Sequence, residues 1–268
     1  MSEIMDYILT NKEAWEEAFD KRSEGWGEDI PDRIKSEIFP FFEKEMVDVL
    51  KRYDLKDKTV AQFCSNNGRE LLSLVKNSRA KEGFGFDIAE NQTDFANEKA
   101  NELDISCKFI QTNILDIGDE YFNRFDLIII TIGALCWFKN LNSFFYKVAK
   151  CLVKNGVLLI NEMHPMTNML AAIGEKEFHI SDPLKIIHSY FYKKWIDNDG
   201  IYYVTKKNYE SKTFVSYTHP FSEIISAMCK SGLKILSMNE FDYDISGMFE
   251  HLDHKEVPLS YILEAVKE

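Results

Sequence analysis

The chain has 268 residues, of which 45% are hydrophobic, enough to form the core of one α/β domain with additions. Its formal net charge of −12, with acidic residues spread along the whole length, argues against a large contact with a nucleic-acid backbone, so no nucleic-acid partner is expected. No apolar run is long enough to span a membrane and the N-terminus carries no signal-peptide core, so we expect a cytoplasmic protein without a membrane partner.

Residues 1–57 are predicted to form a helical segment ahead of the first strand. Apolar side chains at positions 38, 41, 42, 46, 49 and 50 recur at helical spacing, which predicts an amphipathic helix over 37–52. Gly25, Gly27 and Pro31 interrupt the helical pattern upstream and mark a loop around Trp26.

Strands and helices alternate from residue 58 onward, which indicates a parallel sheet. A helix is predicted over 90–102, and another begins at Leu141 and is stopped by Asn155 and Gly156. The strands of this part are predicted near 58–63, 82–87, 107–111, 125–131 and 156–162.

The alternation lapses after Pro165. Two short strands, 201–204 and 213–217, are predicted to pair and to form a cap over the strand ends. The alternation of helices and strands resumes with a helix that contains Phe221 and is ended by Gly232. Strands are predicted near 234–242 and 260–267. The expected parts are an N-terminal helical lid (1–57), a core (58–165), a cap insertion (166–218) and the C-terminal part of the core sheet (219–268).

The most informative segment runs from residue 60 to residue 88. It reads as a strand, a tight loop, a helix opening at Gly68 and a second strand ending in Asp87, 19 residues after Gly68. Helix N–H groups beside an acid at the strand ends are how open α/β sheets bind adenosine-type cofactors, with the acid on the ribose hydroxyls. Because Cys64 and Asn66 occupy two of the three small positions, the loop suits a pyrophosphate poorly, and a nicotinamide dehydrogenase is a weaker alternative.

The chain resembles the class I S-adenosylmethionine (SAM) dependent methyltransferases over residues 58 to 268. Residues 62–68 lie along the family's first motif, hydrophobic-Asp-hydrophobic-Gly-x-Gly-x-Gly, with only the last glycine kept and Gln62 in place of the acid. The other matching segments are 84–91 (second strand), 109–114 (beside the adenine), 125–130 (fourth strand), 133–137 (the turn after it), 155–162 (fifth strand) and 258–265 (the strand that closes the sheet).

This resemblance implies a mostly parallel Rossmann-like α/β sheet with an antiparallel last strand, helices on both faces, the helical lid and a small β cap. It also implies SAM as the cofactor, bound by the core. The residues assigned to cofactor binding are Phe63, Cys64, Asn66, Gly68, Asp87, Ile88, Asn113, Ile114, Thr131 and Gly133.

Three of these residues have a second interpretation. Gly68 lets the methionine part of SAM approach the loop, or is a plain strand-to-helix turn glycine. Asp87 holds the ribose, or caps the helix at 90–102. Asn113 contacts the adenine amine, or forms the turn after its strand. We favour the cofactor roles for Gly68 and Asp87 and leave Asn113 open.

Aromatic and basic residues outside the core motifs are assigned to substrate binding. Trp15, Arg22 and Trp26 resemble lid residues that small-molecule methyltransferases place over the cofactor carboxylate and the acceptor. Arg22 either pairs with that carboxylate or forms a surface salt bridge. Trp137 stacks on the acceptor or shields the sulfonium, or else anchors the next helix. Tyr203 contacts the acceptor from the cap or is buried in the cap's own core.

Two histidines have side chains suited to removing a proton from the acceptor. His164 follows the fifth predicted strand and His219 precedes Pro220 at the end of the cap; each is alternatively a structural residue beside a proline. Methyl transfer from a sulfonium is an in-line displacement that needs alignment and exclusion of water. It needs no metal, so no metal site is expected.

The function predicted is methyl transfer from SAM to oxygen, nitrogen or carbon of a small, aromatic or apolar metabolite, by a monomer or homodimer. No Asn/Asp-Pro-Pro-aromatic sequence follows the fourth strand and no Pro-Cys dipeptide is present, which argues against amino-directed and cytosine-C5 DNA methylation. A protein or RNA methyltransferase and a non-catalytic SAM-binding regulatory protein stay open as alternatives, the second because of the altered first motif.

Overall fold

A computed structural model of the chain describes residues 2–173, 175–191 and 193–268. Their strands form one large sheet and a two-stranded one in the cap. The strands are β1 Thr59–Phe63, β2 Glu82–Asp87, β3 Cys107–Gln111, β4 Phe125–Thr131, β5 Leu152–Met163, β6 Trp195–Asp197, β7 Phe214–Ser216, β8 Leu233–Phe241 and β9 Ser260–Lys267.

The large sheet has seven strands in the order β3-β2-β1-β4-β5-β9-β8. Strands β1 to β5 are parallel, and β9 is antiparallel to both of its neighbours. The predicted mostly parallel sheet with an antiparallel last strand is therefore confirmed. The last strand does not close the sheet, however, because it inserts between β5 and β8. Its residues 260–265 are buried, as suits an interior strand, whereas β8 is partly exposed and lies at the edge.

Helices cover both faces of the large sheet. Buried side chains of α2 to α5 pack on one face, and those of α6 and α8 pack on the other, where Phe144 and Phe145 are fully buried. Burying one such side chain contributes about 1.5–3 kcal/mol to folding. The helices are α1 Ser2–Asp20, α2 Ile30–Ser36, α3 Lys44–Leu50, α4 Arg69–Ser78, α5 Glu90–Glu102, α6 Leu141–Cys151, α7 Tyr202–Thr205 and α8 Phe221–Lys230.

Helix α1 contacts both the cap and the core. On the cap side, Asn11 and the backbone of Val215 in β7 form a buried reciprocal pair: Asn11 Nδ2 donates to the carbonyl oxygen at 2.8 Å, and the Val215 N–H donates to Asn11 Oδ1 at 2.7 Å. On the core side, Nδ2 of Asn91 in α5 donates to the backbone oxygen of Glu16 at 2.9 Å. This helix therefore joins two regions that are far apart in the sequence.

The amphipathic helix predicted over 37–52 is wrong in its first half. Helix α2 ends at Ser36 and α3 begins at Lys44, and between them Phe39 and Phe41 have positive φ values of 50° and 70°. Pro40 accounts for the break, because a proline disfavours helical backbone at the preceding residue and has no N–H to donate.

The strand predicted over 201–204 is also wrong, whereas the strand predicted over 213–217 is confirmed as β7. Its antiparallel partner is β6, and residues 202–205 form the short helix α7 instead. A run of four apolar residues fits a buried strand and a helical turn equally well. Contacts with the rest of the protein favour the helical turn of α7. Val204 is 1% exposed, and its carbonyl oxygen accepts from the Ser23 N–H at 3.0 Å.

Candidate active site

The loop after β1 is tight and places three residues in the left-handed region. Cys64, Asn66 and Gly68 have φ values of 57°, 49° and 81°. These are the three small positions that the sequence singles out. Asn adopts positive φ more readily than most residues, but Cys does not, so the loop holds Cys64 in a conformation that costs on the order of 1 kcal/mol. The turn is closed by the Gly68 N–H, which donates to the Ser65 carbonyl oxygen at 2.9 Å.

Asp87 lies at the end of β2 and organises this loop. Its Oδ2 accepts from the Asn66 N–H at 2.7 Å, and its Oδ1 accepts from the Ala89 N–H at 3.1 Å. Burial raises the pKa of Asp87, and these backbone donors oppose the rise. The N-cap position of α5 is Ala89 rather than Asp87, so the capping interpretation does not fit. Each carboxylate oxygen has a further lone pair, which suits the two hydroxyls of a ribose.

The space at Gly68 is filled by protein. A Cβ atom built on this glycine would lie 2.5 Å from Cζ of Phe109 and 2.7 Å from Cβ of Ala96. Both neighbours belong to the packing between β3 and α5. The positive φ and this contact require glycine for the fold itself, which favours the turn interpretation of Gly68 over close approach of a ligand.

Three potential hydrogen-bond donors belong to residues at the start of α4 or next to it in the sequence. The first is the N-terminal backbone of the helix, which attracts anions. The second is the side-chain amide of Asn67, which is 1% exposed and whose Nδ2 has no hydrogen-bond partner among the described residues. The third is the guanidinium of Arg69, whose Nε donates to Glu70 Oε1 at 2.7 Å. Such a set fits an anionic group such as the carboxylate of an amino acid.

Four aromatic side chains, which we call the aromatic cluster, come together from four different segments. They are Trp15 of α1, Trp137 after β4, Tyr203 of α7 and Phe214 of β7. The ring centroid of Trp15 lies 5.4 Å from Trp137, 5.7 Å from Phe214 and 6.5 Å from Tyr203. The lid, the turn after β4 and both parts of the cap therefore meet at one place.

Tyr203 connects the aromatic cluster to the loop after β1. Burial raises the pKa of Tyr203; the Arg69 guanidinium opposes the rise, and the carboxylates of Glu70 and Asp87 add to it. The phenol therefore keeps its proton and lies within electrostatic reach of the residues that begin α4 and end β2. Tyr203 thus links the aromatic cluster electrostatically to Asp87.

The remaining residues assigned to cofactor binding either form hydrogen bonds within the protein or are apolar side chains that are buried or half-buried. Thr131 Oγ1 accepts from Gln62 Nε2 at 2.8 Å, and the Gly133 N–H donates to Glu162 at 2.7 Å. Asn113 starts a short 3₁₀ helix, where its Oδ1 accepts from the Leu115 N–H at 3.2 Å, in keeping with the turn interpretation. The apolar side chains assigned to this group are Phe63 and Ile114, both buried, and Ile88, half-buried.

The two lid residues outside the aromatic cluster pack together near the end of α1. The guanidinium of Arg22 lies 4.2 Å from the ring centroid of Phe19, and its Nη2 donates to Glu28 at 3.3 Å. Trp26 packs edge-on against the same Phe19, with ring centroids 5.9 Å apart. Pairing of Arg22 with a cofactor carboxylate stays a prediction, and Arg69 is a second arginine suited to that role.

Both candidate general bases are engaged in contacts within the fold. Nδ1 of His164 accepts from the Met166 N–H at 3.0 Å, which leaves the proton on Nε2, 2.7 Å from Glu240 Oε1. Burial lowers the pKa of His164, and Glu240 opposes that effect. Nε2 of His219 lies 2.9 Å from the carbonyl oxygen of Phe138, to which it donates. These contacts favour the structural interpretation of the two histidines.

Asn67, Arg69 and Glu162 are not among the predicted site residues. The first two carried a signal, since they flank Gly68 at the start of a predicted helix. Glu162 carried none, because its backbone partners at 133–135 lie 27 to 29 residues upstream. Across residues 2–173, 175–191 and 193–268, no helix is long and apolar enough to cross a membrane.

Several solved structures of SAM-dependent methyltransferases have a similar fold. A protein of Listeria monocytogenes assigned to that class is 19% identical, with a TM-score of 0.62 over 82% of this chain and 97% of the other. A SAM-dependent methyltransferase of Mesorhizobium loti is 15% identical, with a TM-score of 0.61 over 82% and 96%. Geranyl diphosphate C-methyltransferase of Streptomyces coelicolor A3(2), solved with Mg²⁺, geranyl diphosphate and S-adenosylhomocysteine, is 13% identical, with a TM-score of 0.57 over 90% and 82%.

A family model settles the assignment. Comparison with curated protein sequences gives no match. The model described as a methyltransferase domain, however, matches residues 54–211, more than half of the chain. The acid at the end of β2, the helix N-terminus beside it and the sheet order agree with that match. The chain therefore belongs to this methyltransferase-domain family, and its fold is that of the SAM-dependent methyltransferases described above.

Proposed function

We propose that the protein transfers a methyl group from SAM to oxygen, nitrogen or carbon of a small aromatic or apolar metabolite. The aromatic cluster carries this proposal. It brings Trp15, Trp137 and Phe214 within 6 Å of one another between ring centroids, and its fourth member, Tyr203, interacts electrostatically with Asp87. A surface of aromatic edges and faces suits an apolar acceptor, and the net charge of −12 disfavours a polyanionic one.

The residues around the site divide the work of binding and alignment. SAM supplies a methyl group already activated on a sulfonium, so the protein needs to orient the reactants and exclude water. In this proposal Asp87 accepts from the ribose hydroxyls, and the start of α4 with Asn67 and Arg69 holds the amino-acid end; the contacts of Asp87 and Arg69 and the unpartnered Nδ2 of Asn67 support it. The aromatic cluster attracts the positive sulfonium and covers the acceptor. Geranyl diphosphate C-methyltransferase, which has a similar fold, is an example of a methyltransferase with a small-molecule acceptor.

Removal of the Trp15 ring tests the acceptor side. Release of S-adenosylhomocysteine would be followed with a panel of small phenols, aromatic amines and apolar acids until an acceptor is found. With that acceptor, we expect Trp15→Ala to raise KM about tenfold, because it removes ring contacts worth about 1.4 kcal/mol. The affinity for S-adenosylhomocysteine should change less than about twofold.

The matched control is Tyr146→Ala, which removes a tyrosine that is 54% exposed on α6. It should leave both constants unchanged. Turnover confined to protein or RNA substrates, with binding that weakens steeply as salt rises, would instead support the macromolecular alternative.

The two arginines near the cofactor can be distinguished by ligand. We expect Arg69→Ala to weaken binding of S-adenosylhomocysteine about tenfold, since a charge-assisted hydrogen bond contributes about 1.5–3 kcal/mol. Binding of 5′-methylthioadenosine, which lacks the carboxylate, should stay the same. Calorimetric titration of both ligands measures this.

Arg22→Ala is the control, because Arg22 carries the same charge and already contacts Phe19 and Glu28. If Arg22→Ala shows the selective loss and Arg69→Ala does not, the carboxylate contact belongs to the lid. If Arg69→Ala weakens both ligands equally, its role is to support the fold of α4.

A further inference from the structure

Glu162 is a buried carboxylate at the end of β5 whose two oxygens both accept from backbone groups. Oε2 accepts from the N–H of Gly133 at 2.7 Å and from its neighbour Met163 at 3.0 Å. Oε1 accepts from the N–H of Ala134 at 2.6 Å and of Leu135 at 3.1 Å. Glu162 is 5% exposed, so these four donors replace its hydration shell.

Three of the four donors belong to consecutive residues of the turn after β4. We call residues 132–138 the β4 turn. Gly133 has a positive φ of 79°, and a 3₁₀ helix runs from Leu135 to Trp137, so the peptide N–H groups of 133–135 point to one side without helical partners. Burial raises the pKa of Glu162, and the four N–H groups oppose the rise. The carboxylate and the turn thus satisfy each other's buried polar groups.

The β4 turn carries this restraint to the aromatic cluster. The Trp137 N–H donates to the Ala134 carbonyl oxygen at 3.3 Å, so the indole is attached one helical turn from the residues that Glu162 holds. The Cys136 carbonyl oxygen accepts from the Tyr217 N–H at 2.7 Å, which ties the same turn to the cap. Trp137 then contacts Trp15, with the ring centroids 5.4 Å apart.

We propose that Glu162 is a positioning residue of the active site, whose carboxylate fixes the β4 turn and thereby orients Trp137 toward the cofactor and the acceptor. This rests on the proposed role of the aromatic cluster. Glu162 itself acts through Gly133, Ala134 and Leu135 and not on the reacting atoms. It explains why a carboxylate stands here among apolar strands: a neutral side chain cannot accept from four N–H groups.

The test begins with Glu162→Gln, which keeps the shape of the side chain but turns one acceptor into an NH₂ group facing N–H donors. We expect it to weaken binding of S-adenosylhomocysteine about tenfold, because the turn loses hydrogen bonds to a charged acceptor. We also expect the tryptophan emission to change without ligand. Circular dichroism confirms that the variant is folded at the temperature of titration.

Glu264→Gln is the matched control. Glu264 is a buried carboxylate of β9, 3% exposed, and accepts from Arg52 and Tyr53, each at 2.7 Å. Ile262, two residues earlier in β9, packs in the core on the face of the sheet that carries α4 and α5. Residues two apart in a strand point to the same face, so Glu264 belongs to that face as well. We expect this variant to lose thermal stability but to bind S-adenosylhomocysteine within about twofold of the wild type. Equal loss of affinity in both variants would overturn the proposal, since it would reflect destabilisation alone.

Trp137→Phe decides whether the effect passes through the indole. In that background, Glu162→Gln should no longer change the emission, and its effect on affinity should fall to less than about twofold. A full tenfold effect in the absence of Trp137 would overturn the proposed route. Neither readout requires an acceptor, so an acceptor screen that fails would count against the proposed substrate class and leave this test intact.

Discussion

Replacement of Asp87 by alanine is expected to weaken binding of S-adenosylhomocysteine about a hundredfold, or about 2.7 kcal/mol. Two effects combine. The ribose hydroxyls lose a charged acceptor, and the Asn66 N–H, 2.7 Å from Asp87 Oδ2, loses the partner that holds the loop after β1. Calorimetric titration of wild-type and variant protein measures the change.

Asp126→Ala is the control for this experiment. Asp126 is also a strand carboxylate that accepts from a backbone group, the Thr59 N–H at 3.0 Å, but it lies where β4 begins, at the opposite end of the strands. Its removal should leave the affinity unchanged. Binding that survives in Asp87→Ala within about threefold would mean that another group holds the ribose.

Gly68→Ala is expected to lower the free energy of unfolding by about 3 kcal/mol. The methyl group would meet Cζ of Phe109 at 2.5 Å, and the φ of 81° is unfavourable for alanine. For a chain of this size, that loss lowers the melting temperature by about 6–12 °C. Thermal denaturation followed by circular dichroism measures it.

Gly232→Ala separates the two causes, because Gly232 has a φ of 78° but nothing within 4 Å of its added methyl group. We expect that variant to lose about 1 kcal/mol, the part that comes from backbone strain. If Gly68→Ala keeps its stability and loses only cofactor affinity, the close-approach interpretation of this glycine is right and the packing interpretation is wrong.

Sequence periodicity was sufficient for the sheet but not for every local element. The strands β1 to β4 match their predicted bounds within a residue. The helix over 37–52 fails because one proline outweighs the apolar spacing around it. The strand over 201–204 fails because its apolar run is compatible with two structures, and only contacts with Ser23 and the lid select one.

The site likewise has contacts that could be predicted from the sequence and contacts that could not. The position of Asp87 beside the loop after β1 could be predicted from the spacing of 19 residues between Gly68 and Asp87. The strand, loop, helix and strand of such a unit are consecutive in the sequence, so their spacing determines where the acid lies. Glu162 could not be singled out from the sequence, since its contacts with residues 133–135 depend on how the parallel strands β4 and β5 place their ends. The cofactor and substrate roles of the individual residues stay predictions until the variants above are measured.

The pair between Asn11 and Val215 has a consequence for the order in which the site forms. Its partners are separated by 204 residues, whereas Asn66 and Asp87 are separated by 21. By the scaling of loop-closure entropy with chain length, bringing the first pair together costs about 2 kcal/mol more than the second. The contact between Asn66 and Asp87 is thus local, whereas the contact between helix α1 and strand β7 joins residues that are distant in the chain. The α1–β7 contact should therefore form last in folding and open first in local unfolding, with exchange of the Val215 amide hydrogen faster than that of Asn66.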